Sequence, residues 1–123
     1  MLGKVLERRG LGDQMPHSVL ESMVATTLRT YDVPEPVYQH RVVVDGRLRI
    51  IDFAYPEWLL AVEVLGFEPH SRREVFEDDC LRGNELALAG WTVLEFTWAD
   101  VADRSSYLAG AVRRALRRAG APV

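Results

Sequence analysis

Apolar positions recur at helical spacing in HSVLESMVATTLRTY, where Val19, Leu20, Met23, Val24, Thr27 and Leu28 form one stripe. Ser18 supplies an N-cap, and DVPEP closes the helix. The pattern then becomes strand-like. VYQHRVVVDGRLRIIDFAYP predicts two strands joined at Asp45-Gly46, a dipeptide suited to the tight turn of a hairpin. EWLLAVEVLG predicts a third strand, apolar at nearly every position. SRREVFEDDCLRGNELALAG predicts a helix up to Gly90, with Val75, Phe76, Leu81, Leu86 and Leu88 as apolar positions. Gly83 and Asn84 are weak helix formers in its interior. WTVLEFTW predicts a fourth strand, and a closing helix runs from about Asp100 to Ala119. The order α-β-β-β-α-β-α gives an α/β domain, a four-stranded mixed sheet flanked by helices, because strands apolar on both sides need cover on both faces. Residues 1–15 carry three glycines and predict a flexible lead-in to a single domain over 16–123.

Two acids interrupt the apolar strands, Asp52 in the second and Glu63 in the third. A tight turn around Glu57-Trp58 sets them opposite each other. Strict alternation then puts Ile51, Phe53, Leu60, Val62 and Val64 on one face. Asp52, Glu63, Ile50, Ala54, Ala61 and Leu65 share the other. Facing side chains sit about 5 Å apart, so two carboxylates repel unless a shared proton, an arginine or a divalent cation intervenes. A hard cation such as Mg²⁺ (or Mn²⁺) takes oxygen donors, and Asp52, Glu63 and the carbonyl of Val64 offer them. Glu21 on the first helix is a candidate third carboxylate, and His70 beyond the third strand a candidate to orient or deprotonate a water. The plainer alternative is a set of salt bridges to Arg41, Arg47 or Arg49, which are close in sequence. Glu21 and His70 then become a solvated helix residue and a loop residue.

Composition narrows the setting more than the chemistry. The 123 residues are 48% hydrophobic and 27% charged, as in an ordinary globular domain. No apolar run reaches the roughly eighteen residues of a membrane span. Charges in MLGKVLERRG stand where a secretion signal needs an apolar core, which makes a cytoplasmic location the expectation. The lone Cys80 excludes an internal disulfide and a cysteine-only zinc site. The net charge of −3 offers no bulk attraction to nucleic acid. Arginines nevertheless cluster in AVRRALRRAG, where Arg113, Arg114, Arg117 and Arg118 form two i,i+4 pairs. On composition alone they are the exposed side of the closing helix, complementing its dipole.

Taken in order, LESMVATTLRTYDVPEPVYQHRV, IIDFAYPEWLLAVEVLGFEPHS and FEDDCLRGNELALAGWTVLEFTWADV resemble the bacterial domain-of-unknown-function 559 family. That family is related to the very-short-patch repair endonucleases and shares the restriction-endonuclease-like, or PD-(D/E)xK, three-layer fold. The resemblance spans about Ser18 to Val101. It implies that Asp52 and Glu63 bind metal, Glu21 supports it, and His70, four residues after Gly66, assists the attacking water. Asp79 and Arg82 match a D..R...L helix motif, and Arg72, Arg73 and Arg82 would contact phosphate. The implied activity is Mg²⁺-dependent endonucleolytic hydrolysis of DNA. The alternative is a catalytically degenerate module that binds DNA or a protein partner. Relatives often carry a winged-helix segment ahead of this domain, the short stretch before Ser18 is not expected to form one, and a homodimer is compatible with the pattern. Leu65 departs from the family, standing where an aspartate, or the lysine of the general motif, is expected. Gly83 stands for a charged residue and Glu95 for an arginine. Catalytic groups act as a unit, so the loss at Leu65 alone would cost orders of magnitude in rate.

Overall fold

A computed structural model describes the backbone of residues 17–65 and 73–123, and the side chains of these except 73–79. The elements are α1 (His17–Thr30), β1 (Val37–Val44), β2 (Arg47–Tyr55), a 3₁₀ turn (Pro56–Trp58), β3 (Leu60–Leu65), α2 (Arg73–Leu88), β4 (Thr92–Thr97), α3 (Trp98–Asp103) and α4 (Ser105–Ala119). They form an α/β domain around a four-stranded mixed sheet of order β1-β2-β3-β4. The first two pairings are antiparallel and β3-β4 is parallel, with α2 as the crossover. The expected lead-in over 1–15 lies outside the described residues. Among the described residues, no helix is long and apolar enough to cross a membrane.

Local chemistry sets the turns. Asp45 and Gly46 adopt φ of 54° and 79°, the left-handed pair that a two-residue hairpin requires. Pro56 starts the 3₁₀ turn, and Leu59 leaves it at φ 50° to reverse the chain into β3. The α2 helix runs through Gly83 and Asn84 without interruption. The expected closing helix is two helices. Thr97 accepts from the Asp100 N–H while the Asp100 carboxylate accepts from the Thr97 N–H, a capping box that starts α3 at Trp98. Trp98 therefore belongs to a helix, not to the fourth strand. Arg104 leaves helical geometry at φ −128° and ψ 49°, and α4 begins after it.

The sheet separates two cores. On one face α1, α3 and α4 bury Val24, Leu28, Val101, Leu108, Val112 and Leu116 against Phe53, Tyr55, Leu60, Val62 and Phe96. On the other, α2 supplies Leu86 to a smaller cluster with Val44, Ile51, Ala54, Ala61 and Trp91. This corrects the expected alternation in β2, since Ile51 faces α2 while Phe53 faces the opposite core. The cause is a local switch of face in both hairpin strands. Tyr38 pairs with Phe53 and His40 with Ile51, but the position between them, Gln39 beside Asp52, drops out of the pairing. Gln39 adopts φ 51° there. Asp52 thus stands at the twist where the hairpin turns one side over to the other.

Candidate functional site

The β2-β3 ladder pairs Tyr55 with Leu60, Ala54 with Ala61 and Phe53 with Val62. One step further along the same register brings Asp52 to Glu63, as the sequence predicts. There the two acids replace the ladder with bonds of their own. The Asp52 N–H donates to Glu63 Oε2 at 3.2 Å, and the Val64 N–H donates to Asp52 Oδ2 at 3.4 Å. Each carboxylate binds the backbone of the other acid's strand, so the pair fastens the sheet where its regular pairing ends.

Glu63 is buried at 3% exposure, which makes its charge costly without a partner. One partner is Arg82 from α2, whose Nη2 lies 2.8 Å from Glu63 Oε1 and whose Nη1 donates to the carbonyl of Ile50 at 3.4 Å. Arg82, expected on phosphate, is here the counter-charge of the acid pair. The arginines nearest in sequence are engaged elsewhere or point away. Arg49 donates twice to Glu85 Oε1, at 2.9 and 2.6 Å, and Arg47 reaches Glu85 Oε2 at 3.4 Å. Arg41 is exposed on β1. Glu95, seen in the sequence only as a missing arginine, pairs in register with Glu63 on β4. Parallel partners share a face, so a further carboxylate adjoins the site on the side covered by α2. Parallel register was the signal for it, once β3 and β4 were known to be neighbours.

The remaining expected residues divide. Glu21 lies on α1, across the sheet from α2, and acts on Tyr38. The Tyr38 hydroxyl is pushed up to about 12, first by burial and then by its hydrogen bond to Glu35, with a smaller contribution from Glu21. Glu21 thus stands on the α1 side of the sheet and the Glu63–Arg82 pair on the α2 side, and among the described residues no three His, Cys, Asp or Glu side chains gather as a metal-holding group. Leu65 ends β3 and is half-buried. His70 and Arg72 lie outside the described residues, as do the side chains of Arg73 and Asp79.

The arrangement defines an α/β domain with two facing acids at the end of a β-hairpin ladder, of which the buried Glu63 is ion-paired to Arg82. No protein-family model matches the chain, and no curated protein or solved structure matches it.

Proposed function

We propose that this is a metal-dependent endonuclease-like domain of the restriction-endonuclease-like class, acting on DNA phosphodiester bonds and weakened by Leu65. The observation that carries the reading is the acid pair itself. Asp52 and Glu63 come from adjacent strands, meet where the ladder ends, and hold enough negative charge to draw Arg82 out of α2 onto Glu63.

The donor set suits a hard divalent cation, with two carboxylates and the Val64 carbonyl as oxygen donors, and Mg²⁺ or Mn²⁺ the matching ions. Such an ion supplies Lewis acidity toward a phosphoryl oxygen and lowers the pKa of a bound water. Asp52 and Glu63 would hold it. Arg82 must first leave Glu63, and its freed guanidinium is then a donor for a phosphate oxygen, the role the sequence assigns it. His70 is the residue proposed to take the proton of the attacking water. Water oxygen bonds to phosphorus as one ester P–O bond breaks, and the leaving oxygen is protonated from solvent.

A second reading has its own support. The Arg82–Glu63 ion pair satisfies the acid without metal, and Leu65 removes one polar group from the motif. The domain would then bind DNA or a protein partner without cutting. Calorimetric titration of Mg²⁺ and Mn²⁺ into the wild type and Asp52→Ala separates the two. The endonuclease reading expects binding that Asp52→Ala abolishes, followed by low-salt plasmid nicking that Glu63→Ala eliminates. A wild type that binds neither ion overturns it in favour of the binding module. Leu65→Asp adds a calibration, since a large gain in metal affinity marks a site otherwise assembled.

A further inference from the structure

The four arginines of α4 are two different kinds of residue. Arg113 donates to the carbonyl of Tyr31, and Arg117 Nε donates to the carbonyl of Val123 at 2.8 Å, so both tie down neighbouring chain. Arg114 and Arg118 are exposed, and among the described residues neither forms a hydrogen bond or ion pair. They stand one turn apart along a groove of about 650 Å³ between α4 and β4, with Thr92, Leu94 and Ala111 along its floor and Tyr107 at one end. β4 is the end strand of the described sheet, so the groove opens to the side.

Charge and shape identify the occupant. From Arg104 to Val123 the chain has five arginines and no acidic residue, although its net charge is −3. A turn of helix rises about 5.4 Å, a spacing at which two guanidinium groups can take successive phosphates of one extended strand. Tyr107 is 54% exposed, and its ring is fixed edge-to-face against Phe96 at 5.7 Å, leaving it surface for a base to stack on. Ala111, Ala115 and Ala119 line the groove beside the two arginines and let a backbone approach the helix.

We propose that the α4-β4 groove binds single-stranded nucleic acid, with Arg114 and Arg118 on consecutive phosphates and Tyr107 stacking a base. The groove lies on the face of Leu94 and Phe96, opposite the face of Glu63 and Arg82. It needs no metal, and shares with the proposed function only nucleic acid as ligand. An acidic peptide would also satisfy the arginines, and a polyglutamate probe distinguishes it from a nucleic acid.

The test is fluorescence anisotropy of a labelled twelve-residue oligothymidylate with the full chain, in low salt and EDTA, so that a failed metal site leaves it unaffected. Arg114→Gln/Arg118→Gln removes charge without disturbing the helix. It is expected to flatten the slope of log affinity against log salt by roughly 1.4, two single-strand phosphate contacts. Tyr107→Ala is expected to weaken binding about tenfold. Both variants should keep the wild-type circular dichroism spectrum. Affinity unchanged in the double arginine variant overturns the proposal, as does a labelled polyglutamate that binds more tightly than the oligonucleotide.

Discussion

The two faces of one sheet are put to opposite uses. Toward α1 and α4, β2, β3 and β4 contribute Phe53, Val62 and Phe96 to a continuous apolar core. Toward α2, the same strands contribute a small cluster around Ala54 and Ala61, then the Arg49–Glu85 and Glu63–Arg82 ion pairs. The first face carries the fold by removing apolar area from water. The second carries buried charge, which ordinarily costs more than it returns unless every partner is in place. The buried charge beside the hairpin ladder is what directs attention to Asp52 and Glu63.

Breaking the apolar face should have the largest effect. Phe53→Ala is expected to cost about 3–5 kcal/mol in urea unfolding, and Leu86→Ala on the α2 side nearer 2–3 kcal/mol. Equal losses would mean that the faces share one core. Arg82→Ala comes next, at about 2–3 kcal/mol, because it leaves Glu63 charged and buried while Arg82 itself is partly solvated. Adding Glu63→Gln to that variant should restore more than half of the loss. Strictly additive losses would show that the pair is not coupled.

The hairpin and the meeting of the acids were legible because each rests on local rules. Asp45-Gly46 fixes one turn, and the length from Asp52 to Glu63 fixes the register across the next. The α/β order and the two-sided cover of the sheet were legible for the same reason, since apolar periodicity reports them directly. The face switch at Gln39 and Asp52 was not, because it depends on a left-handed residue in β1 acting on β2, which no periodicity in either strand reveals. The counter-charge was also misplaced. Proximity in sequence favoured Arg41, Arg47 and Arg49, whereas the fold turns Arg47 and Arg49 to Glu85 and brings Arg82 from α2. The helix start at Trp98 could have been anticipated, because Thr97 and Asp100 already have the spacing of a capping box.

That capping box gives the smallest expected effect and sharpens the contrast, since its charge serves local structure alone. The backbone N–H of Thr97, and then the hydrogen bond from Arg104, hold the Asp100 carboxyl below its ordinary pKa against the opposing effect of burial. A carboxyl depressed in the folded state adds stability above its unfolded value near ~4 and loses it as pH falls through the folded value. Asp100→Ala should therefore cost about 1–2 kcal/mol at pH 7 and progressively less below about pH 4. A loss independent of pH would show that the cap acts without its charge.

The central claim is that Asp52 and Glu63 hold a divalent cation in exchange for Arg82. Mn²⁺ titration of the wild type and Arg82→Met, followed by electron paramagnetic resonance of the free ion, tests it most directly. Removing the competing guanidinium should tighten Mn²⁺ binding at least tenfold, and adding Asp52→Asn to the Arg82→Met variant should abolish the gain. A folded Arg82→Met protein that binds Mn²⁺ no better than the wild type would contradict the claim.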